Sequence, residues 1–221
     1  MEGADGALDA LGALADPVRR RIYRQVAAAG VELGRDAVAE AAGISRSLAA
    51  FHLDKLVAAG LLAVEYRRLS GRTGPGAGRP AKLYRRAAGE FAVSVPPRGY
   101  DGAGRLLAEV VERAGLDREL QAAARAAGAA EAVGADGDLV RELRGRGYEP
   151  FLDEKDEADG GGGAVVRLRN CPFHALAEEF PALVCGMNLA LLAGLAGEGW
   201  TAEMSPCAGG CCVALSKNNM D

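Results

Sequence analysis

Between Leu14 and Val26 the apolar positions return at helical spacing, with Val18, Ile22, Tyr23 and Val26 on one face. Asp16 ahead of Pro17 predicts an N-cap and a proline at the first helical position, and Gly30 predicts the stop. A second short helix is predicted over about 36–42, then a tight turn at Gly43-Ile44-Ser45. A third helix follows over about 46–59 and ends at Gly60. Its predicted buried stripe is Ala49, Leu53, Leu56 and Val57, which leaves Ser45, Arg46, Ser47, Ala50 and Phe51 on the leading face. The period then changes from helical to alternating. Leu61 to Tyr66 reads as a strand and Lys82 to Arg86 as a second, joined by a Gly-, Pro- and Arg-rich loop from Ser70 to Pro80.

Past a turn-rich linker at Gly99 to Gly104, helical spacing resumes from Arg105. Leu106, Leu107, Val110, Val111 and Ala114 share an apolar face, and an Ala-rich segment from Leu116 to Ala127 continues the pattern. Such a face serves either a partner copy or the core of its own domain. The tail predicts a helix over 138–146, a strand over 148–152, an acidic loop over 153–163 and a strand over 164–169. The loop's acids lack the spacing of a calcium loop. A long helix over about 180–195 follows, then a strand pair at Trp200 to Met204 and Cys211 to Leu215. The fold class predicted is α+β. It comprises an N-terminal winged helix-turn-helix domain (10–90), central dimerisation helices (100–135) and a small C-terminal α+β sensor domain (136–217).

Helix, glycine-containing turn, helix is the arrangement that places its second helix in the DNA major groove. Arg46 is the expected base reader, with Ser45, Ser47, Ala50 and Phe51 beside it and Lys55 as a phosphate contact. The strand pair is the expected wing: residues 62–86 carry seven Lys and Arg against one acid, Glu65. Arg67, Arg68, Arg72, Arg79 and Lys82 are the expected wing contacts. Overall charge, at −4, argues against nucleic acid, but its distribution reverses that. Residues 1–90 hold 14 basic and 10 acidic side chains, and residues 91–221 hold 12 and 20. Only the head is suited to meet phosphates.

The run Ser47 to Leu62 resembles the recognition helix and first wing strand of ArsR-type winged-helix regulators. Gly78-Arg79-Pro80-Ala81-Lys82-Leu83-Tyr84 resembles the wing of one branch of that superfamily. The resemblance covers about residues 10–90. It implies a transcription regulator, expected to be a dimeric repressor on a double-stranded DNA operator, and His52 as a half-buried residue touching a phosphate.

All five cysteines lie in the tail: Cys171, Cys185, Cys207, Cys211 and Cys212. No apolar run reaches the ~20 residues that span a bilayer, and the acidic start Met1 to Asp9 is no signal peptide. A cytoplasmic chain without membrane partners is therefore expected, where thiols stay reduced and clustered cysteines point to metal or redox chemistry. Cys171, Cys185 and one or two of Cys207, Cys211 and Cys212 are candidate thiolate ligands, with His174 as a possible further one. The run Cys171-Pro172 followed by Ala177-Glu178-Glu179-Phe180-Pro181 and Leu183, then Cys185 and a late cysteine pair, is similar to SufR-type iron–sulphur regulators. By that likeness Cys171 and Cys185 match the first two cluster ligands, and the third falls on Cys207, Cys211 or Cys212. Here the first two stand one residue farther apart and the last three are spaced differently.

Several uses of the cysteines stay open from the residues themselves: an iron–sulphur cluster, zinc, a thiol–disulfide switch, or no cofactor and burial as small hydrophobes. If Cys211 and Cys212 lie in a strand they point to opposite faces, and at most one of them joins the others. An organic effector pocket in the tail is the alternative to a metal or cluster. Catalysis is not expected. A Cys171–His174 nucleophile–base pair lacks a third group.

Overall fold

The computed structural model describes residues 2–68, 80–134, 137–153, 165–207 and 210–218. The chain divides into two compact units, 1–98 and 99–221. It is an α+β protein, with an antiparallel sheet in each unit.

The first unit opens on α1 (Glu2–Ala13), which the residue pattern had not marked, and which turns Ala7 and Ala10 inward. In α2 (Pro17–Ala29), Asp16 caps the start, its Oδ1 accepting from the backbone N–H of Val18 at 2.8 Å and of Arg19 at 2.9 Å. Gly30 closes it in the left-handed region, at φ 66°. Next come a two-residue strand β1 (Leu33–Gly34) and α3 (Arg35–Ala42). Gly43, at φ 64°, turns the chain toward α4 (Arg46–Ala58). The guanidinium of Arg21 and the amide of Gln25 donate to the carbonyls of Ala42 and Ala41, satisfying the end of α3.

Strands β2 (Leu62–Arg67) and β3 (Ala81–Arg86) pair antiparallel from Leu62 opposite Arg86 to Arg67 opposite Ala81. Short β1 adds to the other edge of β3, giving the order β1-β3-β2. Ile22, Val26, Val38, Leu53, Leu56, Leu62 and Tyr84 form the core between helices and sheet. Each such aliphatic side chain contributes about 1.5–3 kcal/mol on burial.

In the second unit the helices α5 (Tyr100–Ala114) and α6 (Asp117–Ala130) precede α7 (Leu139–Gly145). Helix α5 starts earlier than Arg105 and absorbs the linker: extending a formed helix costs little, and Asp101 in its first turn suits the dipole. Ala108 is its buried residue, while Leu106 and Leu107 (each 67% exposed) and Val110 (52%) face outward. Strands β4 (Pro150–Leu152) and β5 (Val165–Leu168) lead to the short α8 (His174–Glu179) and the apolar α9 (Pro181–Ala196). After a 3-10 turn at Gly197–Gly199, β6 (Trp200–Met204) and β7 (Val213–Lys217) complete a sheet ordered β4-β5-β7-β6.

Helix α9 is long and apolar enough to cross a membrane by composition. In the fold it turns Leu183, Val184, Leu192 and Leu195 inward. It crosses α6 at two glycines. A Cβ on Gly128 would stand 2.1 Å from the carbonyl oxygen of Leu191, and one on Gly194 would stand 2.3 Å from that of Arg125. The two backbones meet where no side chain fits. Below them, Leu143, Val166, Leu168, Leu192, Leu195, Val213 and Leu215 form the core, with Cys211 and Tyr148 among them.

Candidate functional site

The DNA-facing candidates sit where the local caps put them. Ser45 Oγ accepts from the Leu48 N–H at 3.2 Å and starts α4. This sets Arg46 and Ser47, both exposed, at the leading end of that helix. Ala50 is half-buried beside them, and Phe51 is 54% exposed. The Lys55 ammonium stands 5.9 Å from the centre of the Phe51 ring. An exposed aromatic next to a cation suits an apolar contact with a thymine methyl beside a phosphate. Leu48, also exposed, belongs to this surface and had escaped notice in the sequence.

His52 is buried rather than half-buried, its ring edge-on to Phe51 at 5.4 Å. In the wing, Arg67 ends β2, Arg68 follows it, and Lys82 lies on β3. Arg72, Arg79 and the rest of 69–79 lie outside the described residues.

Three of the expected DNA contacts already hold acids. Arg46 Nε meets Asp36 Oδ1 at 2.7 Å, Lys82 Nζ meets Asp54 Oδ1 at 2.5 Å, and Arg67 pairs with Glu32. The Asp54 hydrogen bond raises the Lys82 ammonium above its ordinary range. These acids carry no base-reading pattern and were invisible as partners until the fold joined them to the cations.

In the second unit the cysteines come from three separate segments. Cys171 ends the stretch after β5, Cys185 lies on α9, and Cys207, Cys211 and Cys212 lie between β6 and β7. Cys211 and Cys212 precede β7 instead of lying within it, since that strand begins at Val213. The expected strand alternation therefore does not part them. Cys171 and Cys211 shift each other's protonation as neighbours, and Cys212 acts in the same way on Cys185. Cys171 also senses Cys185 and Cys212 electrostatically, so the two pairs are neighbours.

Their chemistry differs. Cys211 draws the Cys171 thiol below its ordinary range, aided by the Phe173 backbone N–H. Cys171, then burial, pushes Cys211 up. Burial, then Cys212, pushes Cys185 up to about 11. Cys171 is thus the most readily deprotonated of these shifted thiols, and Cys211 holds its proton most firmly.

Backbone hydrogen bonds fix the frame. The Cys211 N–H donates to the Leu168 carbonyl at 2.8 Å, and the Ser205 N–H donates to the Cys212 carbonyl at 2.7 Å. Gly210 lies against Cys207: a Cβ there would meet Cys207 Sγ at 2.7 Å and the Leu168 carbonyl oxygen at 2.9 Å. Cys207 turns its thiol to the Cys211 carbonyl oxygen, at 3.6 Å, and not to the other sulphurs.

His174 does not join the group. It starts α8, is exposed, and stands 3.4 Å from Glu178 one turn on. Among the described residues, no three His, Cys, Asp or Glu side chains enclose a single metal ion as they lie.

Sequence reasoning missed the polar pair beneath the cysteines. Tyr148 Oη donates to Asn188 Oδ1 at 2.5 Å, and Asn188 Nδ2 donates to Cys211 Sγ at 3.2 Å. Burial, with Cys171 and Cys211 nearby, pushes the Tyr148 phenol well above its ordinary value, so it is a donor throughout the physiological range. The available signal was Asn188 itself, an amide in the otherwise apolar helix Pro181–Ala196.

No curated protein matches the chain. Residues 14–65 match the family of helix-turn-helix domains, and the match spans α2 to the first four residues of β2. The first unit therefore carries a helix-turn-helix domain of the DNA-binding, transcription-regulating kind.

Proposed function

We propose that this chain is a dimeric winged-helix repressor of the ArsR type, whose second unit holds an iron–sulphur cluster that sets operator affinity. One observation carries the sensing part: four thiols from three segments, Cys171, Cys185, Cys211 and Cys212, influence one another's protonation, and Cys171 and Cys211 pack at one core. Four thiolates are the donor set of a cluster. When bound, a cluster supplies reversible electron transfer and sensitivity to oxidants.

The chain's own residues do the rest. Cys171, already drawn toward thiolate, is the first donor. Cys185, held protonated chiefly by burial, and Cys211, held chiefly by its neighbour Cys171, must give up protons, so loading is coupled to proton release. Cys171 leads through Pro172 and Phe173 into α8, and Glu179 on α8 pairs with Arg105 on α5 at 2.7 Å. Helix α5 offers Leu106, Leu107 and Val110 as the face for a second copy, as reading two half-sites requires a symmetric pair. A change at Cys171 thereby reaches the dimer helix, which follows directly on the DNA-binding head. Its energetic meaning is a coupling free energy between the cysteine site and the operator.

A second reading is favoured by the pairing itself. Cys171 with Cys211 and Cys185 with Cys212 are the neighbours that a disulfide would join. Each pair would lose two protons and two electrons to a peroxide, which becomes water and the corresponding alcohol or a second water.

Anaerobic purification with iron, sulphide and zinc analysis and a visible spectrum tests the proposal. A coloured protein that loses iron on Cys171→Ser or Cys185→Ser supports it. A colourless protein without iron after anaerobic reconstitution removes the cluster and leaves the disulfide switch, which thiol counting after peroxide then decides.

A further inference from the structure

Asn188 is 1% exposed and Tyr148 3%, and both lie in the apolar core beside Cys211, itself 3% exposed. A buried carboxamide with unmet hydrogen bonds costs about 1–3 kcal/mol, so such a residue is costly unless partnered. Here each end of the amide has one partner. The amide stands with Oδ1 toward the Tyr148 hydroxyl, which donates to it at 2.5 Å. Nδ2 is thereby turned to Cys211 Sγ at 3.2 Å. The order is Tyr148 Oη–H to Asn188 Oδ1, then Asn188 Nδ2–H to Cys211 Sγ. Tyr148 lies just ahead of β4 and Asn188 in mid-α9, so two elements of the core aim one N–H at one sulphur.

Resting on the function proposed above, we infer that Asn188 is a positioning residue that donates a hydrogen bond to the sulphur of Cys211 as a cluster ligand, and that Tyr148 holds the amide in the donating orientation. An N–H aimed at a ligand sulphur stabilises the more electron-rich, reduced state and so raises the reduction potential. A leucine at 188 would fill a similar volume but leave the sulphur without its donor.

The test uses full-length Asn188→Leu and Tyr148→Phe, reconstituted anaerobically with iron and sulphide. Circular dichroism and thermal melts establish that each folds. If Asn188→Leu does not, Tyr148→Phe carries the test. The expected result is a midpoint potential shifted to more negative values, more in Asn188→Leu than in Tyr148→Phe, or loss of iron from a folded variant. Unchanged iron content and unchanged potential in both variants overturn the inference.

If the wild-type protein takes up no iron, the proposed function falls separately. A double-mutant cycle of Asn188→Leu with Cys211→Ala in urea unfolding of the metal-free protein then decides. Non-additive stabilities keep the Asn188–Cys211 contact, and additive ones remove it.

Discussion

Cys171, after β5, and Cys211, ahead of β7, are each the first cause of the other's shift: Cys171 is drawn down and Cys211 pushed up. The pair therefore splits into a thiolate-prone Cys171 and a proton-retaining Cys211. Alkylation of the metal-free protein near neutral pH should modify Cys171 first. Cys211→Ala should slow that reaction, since Cys211 is the largest influence lowering Cys171. Faster modification of Cys171 in that variant would contradict the assignment.

Stability at high pH follows from the opposite shift at Cys185. Its thiol is pushed up to about 11 in the fold, against an ordinary value of 9.0. Between those two values the unfolded chain has released its proton while the folded chain keeps it, so the unfolded state binds fewer protons and stability falls as pH rises. Cys211 and Tyr148, also raised, act in the same sense. Urea midpoints of the metal-free protein should drop from pH 9 to 11, and Cys185→Ser should shallow that drop. Equal slopes for the two proteins would remove Cys185 as a contributor.

The crossing of α6 and α9 depends on bare backbone. Alanine for glycine ordinarily stabilises a helix interior by about 1 kcal/mol. At Gly128 the added Cβ would lie 2.1 Å from a backbone oxygen, which cannot move as a flexible side chain does. Overpacking costs about 1–3 kcal/mol and here acts against backbone, so the clash wins. Gly128→Ala should lower the melting temperature, and a rise would show that the helices separate without cost.

On the DNA face, Arg46 and Lys55 should separate by kind of loss. Arg46→Ala should cost about 1–3 kcal/mol and relax preference at one base position. Lys55→Ala should weaken all sequences alike and reduce the salt slope by about 1. Asp54→Asn should strengthen binding, because it removes a negative charge beside Lys82. Anisotropy titrations at several salt concentrations check all three.

The proposed dimer face is tested at Leu106. Leu106→Glu should dissociate the protein in sedimentation velocity and leave its helical content intact. A dimer that survives this charge, together with Val110→Glu, would place the interface elsewhere.

Much of the first unit was legible because its signals are local. Asp16 with Pro17, Gly30, Gly43 with Ser45, and Gly60 each mark an end through the backbone's own needs, and the helices stop where these residues stand. Helix α1 was missed because its three glycines and three acids read as a polar start, although Ala4, Ala7, Leu8 and Leu11 stand at helical spacing. The Gly99 to Gly104 stretch misled because two glycines inside a helix look like a linker. At the cysteines, the residues themselves were visible but their grouping was not. Whether Cys212 joins Cys185 depends on a strand that starts at Val213 and not two residues earlier, which no local pattern states. The Asn188–Tyr148 link spans separate elements and has no short-range signal beyond an amide in an apolar helix.

The most direct test of the coupling between cysteines and operator is DNA affinity in two states of one protein. A DNA duplex selected by the protein from a random pool would be titrated anaerobically with the iron-loaded and the metal-free forms, with fluorescence anisotropy as the readout. The account predicts affinities differing by about 5- to 150-fold, the range of a coupling free energy of about 1–3 kcal/mol, and predicts that Cys171→Ser removes the difference. Equal affinities for the two forms, with iron bound in one and absent in the other, would contradict it.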